Sequence, residues 1–342
     1  MKNFILCFFL LFSTLYAKEE NVVAVIGGGP AGLSAANICQ EMGYQTVVFE
    51  PKAEFPLEDS VSFWPGIVSP KWSAIIKNLR ESLTKAGGTL LDKQVSDISQ
   101  DKDNFIISSG REFYSLKAVI IATGKKPKAS SFLYRRSDRI LTNVWTRKIF
   151  SPKDSVIIIG QGEPLFHACL NAARGAGHVF IFPYQGNAPT LASLTKIFPS
   201  VTITRNVSIT DIGADKRKAF VTYSQDRSKL YKEASYLIVA EEKDPASDLV
   251  ANLCSIDSSG AIVASNDTGE TSLPGLYACG EVTTNAALTG VQAASDGQKV
   301  GFAVTYFLVS KGIAPKKQSV APLPPLQPPP EKKPEEQTEG LF

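Results

Sequence analysis

"VVAVIGGGPAGLSAANICQEMGYQTVVFE", residues 22–50, contains a strand, a loop, a helix and a second strand in one run. The β-rich "VVAVI" predicts a buried strand, and "TVVFE" predicts its parallel neighbour. Between them "GGGPAG" opens the helical stretch "LSAANICQEMG". A lone Gly-x-Gly-x-x-Gly is weak, but here Gly27, Gly29 and Gly32 follow a strand and start a helix, which makes the pattern specific. Gly27 permits the tight turn, Gly29 lets backbone approach a pyrophosphate, and Gly32 allows close helix-to-strand packing. Pro30 and Ala31 complete the loop, where the free N–H groups of the helix N-terminus face phosphate oxygens. Glu50 ends the second strand eighteen residues after Gly32, placed to accept hydrogen bonds from ribose hydroxyls.

The same grammar recurs. The run "LKAVIIATG" at 116–124 closes the first segment, and "SVIIIGQGEPLFHACLNAARGAGHVFIF" from 155 starts a second strand, loop, helix and strand. "YLIVA" ends at 240, and "LPGLYACGEV" at 273–282 leads into a further alanine-rich helix that finishes near Gly312. Strands alternating with helices predict an α/β protein with parallel sheets, twice over.

With 342 residues, 44% hydrophobic and 20% charged, the chain has enough apolar content for two cored domains. A net charge of +3 with dispersed basic residues points away from nucleic acid. "GKKPK" at 124–128, with Arg135 and Arg136, reads as a solvated loop. His167 and His178 are the only histidines, so a histidine-rich metal site is excluded and no metal is expected. Residues 1–17 read as a secretory signal peptide: Lys2, then "FILCFFLLFSTLYA", ending at Ala17. Leu15 departs from the small residue favoured there, which keeps an uncleaved membrane anchor as the alternative. The expected location is the periplasm or the exterior. Residues 313–342 carry eight prolines and read as a disordered, solvated spacer, with a ligand for a proline-recognising protein partner as the alternative. The five cysteines at 7, 39, 169, 254 and 279 form no Cys-x-x-Cys pair, and Cys39 and Cys169 read as buried helical thiols. Spacing leaves long-range disulfides open.

Over about residues 21–310 the chain resembles the low-molecular-weight thioredoxin reductase family, flavoproteins in which a nicotinamide-nucleotide domain interrupts an FAD domain. The likeness rests on the first glycine loop, "FWPG" at 63–66, "IIATG" at 120–124, and "LPGLYACGEV" followed by "GVQAASDG" at 290–297. It implies two Rossmann-like domains: 18–124 and 246–312 for FAD, with 125–245 inserted as a degenerate NAD(P)-binding-like domain. It further implies FAD contacts from Thr123 and Gly124, from Gly280 and Glu281 near the ribityl and pyrophosphate, and from Gln292 and Ala293 near the flavin ring. Glu281 stands where the family usually has aspartate. A homodimer is the family's common assembly.

Three departures set the functional expectation. No cysteine lies between Gly124 and Gly160, where the family keeps the dithiol that passes electrons to a protein disulfide. In the second loop Gly160 and Gly162 remain, yet Leu165 replaces a small residue and is expected to push the helix from its strand. Pro183 and Tyr184 stand where a ribose or 2′-phosphate would be held, and "EEKDP" at 241–245 puts Glu242 beside the nicotinamide position. These residues weigh against NAD(P)H. The expectation is an exported FAD-dependent oxidoreductase without a dithiol, its electron donor and acceptor unidentified and no catalytic residue assigned. A ferredoxin-type NADP reductase and a non-catalytic scaffold that retains FAD are the alternatives.

Overall fold

The computed structural model describes residues 22–51, 61, 64–68, 70–128, 131–132, 135, 137–142, 149–184, 189–287 and 289–316. Residues 1–17, expected to be a signal peptide, Phe63, and the tail beyond 316 lie outside these residues.

The first sheet is parallel and five-stranded, in the order β18-β7-β1-β2-β3. Its strands are β1 (Val23–Ile26), β2 (Thr46–Phe49), β3 (Thr89–Leu91), β7 (Ala118–Ile121) and β18 (Leu276–Ala278). β1 pairs with β2 on one side and β7 on the other, and every residue of the three is buried. Continuous apolar runs such as "VAVI" and "AVII" are what a sheet covered on both faces requires. One face is covered by α1 (Pro30–Glu41), α2 (Trp72–Lys85) and α5 (Gly290–Ser310). The other is covered by an antiparallel sheet of β4 (Asp97–Asp101), β5 (Asn104–Ser109) and β6 (Glu112–Leu116), which supplies Ile98, Phe105, Ile107 and Leu116 to the core.

The second sheet repeats this plan in the order β12-β11-β10-β16-β9. It is built from β9 (Ile140–Leu141), β10 (Ser155–Gly160), β11 (His178–Pro183), β12 (Val201–Ile203) and β16 (Tyr236–Ala240), with α3 (Gly162–Ala173) and α4 (Pro189–Ile197) on one face. An antiparallel sheet of β13 (Ser208–Ala214), β14 (Ala219–Gln225) and β15 (Ser228–Ala234) covers the other. Because β18 returns beside β7, the second unit is an insertion into the first. Two chain crossings join them as a short antiparallel ribbon of β8 (Lys125–Lys126) and β17 (Asp244–Pro245). The ribbon is fastened by the Ala246 N–H to the Gly124 carbonyl at 2.9 Å and by the Thr123 hydroxyl to the Ala246 carbonyl at 2.6 Å. The chain thus has the predicted α/β, two-domain Rossmann-type fold. Among the described residues no helix is long and apolar enough to cross a membrane.

The tightest helix contact is between α1 and α5. A Cβ on Gly297 would stand 2.0 Å from the Ala31 carbonyl oxygen, and one on Gly301 would stand 2.7 Å from Ile38 Cβ. Cys39 Sγ reaches the Gly301 carbonyl at 3.7 Å. α5 is started by a capping box, in which Thr289 Oγ1 accepts from the Gln292 N–H and Gln292 Oε1 accepts from the Thr289 N–H. Gly297→Ala forces the helices apart and is expected to cost roughly 1–3 kcal/mol. Ser295→Ala, exposed on the same helix, should stay within about 0.5 kcal/mol. Urea denaturation of the two variants beside the parent checks this, and equal midpoints would refute it.

Candidate functional site

The site residues of the first domain gather at the carboxyl ends of β1, β2, β7 and β18, the edge where open α/β sheets bind ligands. Gly27 leaves β1 with φ +118°, and a Cβ there would lie 2.3 Å from the Ala122 carbonyl oxygen, so only glycine fits. Gly32 lies one turn into α1, where a Cβ would meet the Gly27 oxygen at 2.0 Å. Gly29 differs: nothing stands within 4 Å of its Cβ position. It is the N-cap of α1, provides no side-chain cap, and is followed by Pro30 at the first helical position. The first-turn N–H groups therefore face an open cradle, which suits a pyrophosphate.

Glu50 lies across this loop. Its Oε2 accepts from Arg80 Nη2 at 3.0 Å and Nε at 3.2 Å, and its side chain is 13% exposed. Burial pushes its carboxyl above the ordinary range, the Arg80 guanidinium pulls it back, and Asp92 adds to the rise. A Cβ on Gly28 would stand 1.8 Å from Glu50 Oε2. Sequence reading gave Gly28 no task and missed Arg80. The middle glycine of "GGG" was a visible signal for the first, whereas nothing marks Arg80 among the charges of α2.

On the far side of the loop, Gly280 (φ +77°) brings its Cβ position within 2.9 Å of Ala31 Cβ. Ala31 and Ala293 belong to one buried cluster there, with Cys279 beneath. Glu281 is exposed, and its Oε2 lies 3.8 Å from the Cβ position of Gly124, so these two line the same edge. Thr123 spends its hydroxyl on the interdomain ribbon, and Gln292 spends its side-chain oxygen on the capping box. In both residues those atoms are engaged in holding the backbone.

No described thiol is poised to react. Cys39, Cys169, Cys254 and Cys279 are free, and Cys39, Cys169 and Cys279 are buried. Burial pushes the Cys39 and Cys169 thiols up to about 12. Burial, then the charges of Asp296 and Cys39, pushes Cys279 upward as well.

The second loop looks alike in sequence and differs in space. Gly160 (φ +145°) repeats Gly27, its Cβ position 1.9 Å from the Ala240 carbonyl oxygen. Gly162, counterpart of Gly29, has φ +67°, and its Cβ position lies 2.2 Å from Glu242 Oε1. Leu165, counterpart of Gly32, is buried in the core with Ile158, Val179 and Ala240, so it fills the helix-to-sheet interface. Tyr184 follows β11, its N–H bonded to the Gly160 carbonyl at 2.9 Å. Its hydroxyl donates to Glu241 Oε1, which also accepts from the Phe132 N–H at 3.3 Å, while Ser131 donates to Oε2.

Comparison with known proteins agrees with this architecture. Sequence patterns of the family described as pyridine nucleotide-disulphide oxidoreductase match residues 21–146 and 89–280. A thioredoxin reductase from Chlamydia pneumoniae is 25% identical over 296 residues, covering 80% of this chain and 94% of its own. One from Aquifex aeolicus is 26% identical over 308 residues, covering 84% and 94%. Among solved structures, a thioredoxin reductase from Streptococcus pyogenes has a TM-score of 0.72 at 20% identity, covering 84% of this chain and 98% of that one, which speaks for the fold. With the match at 89–280 taking in more than half its residues, the chain belongs to the pyridine nucleotide-disulphide oxidoreductase family.

Proposed function

We propose that this protein is an exported, FAD-dependent oxidoreductase whose electrons do not pass through a dithiol. The observation that carries this reading is the pairing of an open first crevice with a cysteine set that holds no Cys-x-x-Cys. The open cradle at Gly29, the uncapped start of α1 and the Glu50 carboxylate fit the pyrophosphate and ribose of FAD. Bound there, FAD supplies one- and two-electron redox chemistry. The chain's own residues bind and orient: the α1 N-terminus holds phosphate, Arg80 fixes the rotamer of Glu50, and Gly280 with Glu281 lines the side towards the ribityl chain. Gln292 and Ala293, at the start of α5, approach the ring in this reading.

A thioredoxin reductase needs a thiolate to attack a disulfide sulfur. The buried, protonated thiols of Cys39, Cys169 and Cys279 do not supply one, and no second cysteine stands three positions from any of them or from Cys254. Electrons would then pass directly between flavin and a quinone, an electron-carrier protein or a small molecule. The leader at 1–17 supports export, and soluble NADPH is expected to be scarce outside the cytoplasm. A ferredoxin-type NADP reductase is the second reading, favoured by the retained parallel sheet and Gly160 of the inserted domain.

Protein lacking residues 1–17 should purify yellow, and anaerobic NADPH or NADH should leave its long-wavelength flavin band unbleached while dithionite bleaches it. Rapid bleaching by NADPH would overturn the first reading in favour of the second, and a colourless protein that cannot take up FAD would overturn both. Independently, Glu50→Ala removes a charge-assisted acceptor worth about 1.5–3 kcal/mol, so FAD affinity should fall roughly tenfold to a hundredfold. Arg80→Ala should show a smaller loss, because it leaves the carboxylate present but unheld. Fluorescence titration of apoprotein with FAD measures both, and an unchanged Kd for Glu50→Ala would remove Glu50 from the site.

A further inference from the structure

The two domains contain the same strand, glycine loop and helix, so each crevice is an internal control for the other. In the first, Gly29 faces open space at the start of α1. In the second, the corresponding glycine faces a carboxylate oxygen of the chain itself, Glu242 Oε1, 2.2 Å from where a Cβ would stand. The start of α3 therefore has a carboxylate oxygen beside its loop glycine, where the start of α1 has open space. Glu163, in the first turn of α3 and 3.1 Å from His167 Nε2, adds a second carboxylate near the same end.

A second obstruction lies beside it. β11 and β16 flank β10 on opposite sides, and the crevice opens above the carboxyl end of β10. Tyr184 follows β11 and Glu241 follows β16, so their hydrogen bond spans the end of β10 from one neighbour to the other. Ser131 and the Phe132 N–H hold the same carboxylate from the incoming linker. Burial, with the Glu241 charge beside it, pushes the Tyr184 hydroxyl well above its ordinary range, so it stays a donor at physiological pH.

We propose that the chain occupies its own second dinucleotide crevice: Glu242 takes the place of the phosphate, and the Tyr184–Glu241 bridge crosses the space a nicotinamide dinucleotide would need. The inference rests on the reading of the protein as an oxidoreductase not driven by NAD(P)H, and it names the residues that enforce the exclusion. Pro183 and Leu165, the departures that sequence alone makes conspicuous, are secondary. Leu165 is buried in the core, and β11 pairs with β10 along its whole length through Pro183. The obstruction is electrostatic as well as steric, since a dinucleotide phosphate would be brought beside an unneutralised carboxylate.

The test uses the flavin-loaded protein without residues 1–17 and titrates ADP-ribose, which has the phosphates but no redox chemistry, by calorimetry. The parent should show a Kd weaker than about 1 mM. Glu242→Ala should tighten binding at least about tenfold, and Glu242→Gln, which keeps the size and removes the charge, should recover part of that gain. Adding Glu241→Ala to Glu242→Ala should tighten it again. Glu242 is exposed, so the Gln variant keeps the fold, and an unchanged flavin spectrum and melting temperature will verify this. Variants that stay folded and still ignore ADP-ribose would overturn the inference and leave the functional reading intact. ADP-ribose binding to the parent would also overturn it, while NADPH bleaching of the parent's flavin would bring down the functional reading as well.

Discussion

Much of the first domain depends on how closely the backbone of α5 approaches that of α1. Gly297 and Gly301 remove the side chains that would keep the helices apart, and the Ala31 carbonyl oxygen and Ile38 fill the space so released. This contact fixes the N-terminal end of α1, and with it the direction of the first-turn N–H groups. Gly280 meets Ala31 from the end of β18, so the strand that comes last in the chain is registered against the helix that comes first. A loose α1 would turn its N–H groups away from a common point. The small residues along this seam thus serve the site by holding the start of α1 in place.

Both domains use the same elements, and their loops part company just after the first glycine. Gly27 and Gly160 make equivalent turns under equivalent carbonyl oxygens. Beyond that turn, Gly29 caps α1 with extended backbone, whereas Gly162 is already left-handed and α3 begins from Gln161. The second helix therefore starts one residue earlier relative to its glycines, and Leu165 packs where Gly32 would otherwise have demanded contact with bare backbone. A conserved-looking motif can thus keep its glycines and still present a different surface.

This contrast also marks how far the sequence could be read. The first strand, loop and helix were legible because the φ of Gly27 and the close approaches at Gly27 and Gly32 admit only glycine, and β1, β2, β7, β10 and β16 because doubly covered strands are largely apolar. The two antiparallel sheets were passed over, since half their residues face outward and their signal is the weaker alternation seen in "NFIISS". Arg80 on Glu50 and Tyr184 on Glu241 were invisible for another reason. Each pair joins residues 30 and 57 positions apart, and a charge or a tyrosine does not say in sequence which distant partner it will meet.

The insertion has a consequence for how the molecule is made. β18 pairs with β7 only after the whole inserted domain has been synthesised, so the register Val119 to Leu276 is strongly non-local. Closing so long a loop is slow, and until it closes β7 is an apolar edge open to pairing with another chain. The inserted domain, whose central strands β10, β11, β12 and β16 lie in one continuous stretch, has no such wait. Early folding of the insert brings the Gly124 and Ala246 ends of the ribbon together and shortens the effective loop that β18 must close. In this way the inserted domain has a task during assembly, as a clamp on the domain that it interrupts.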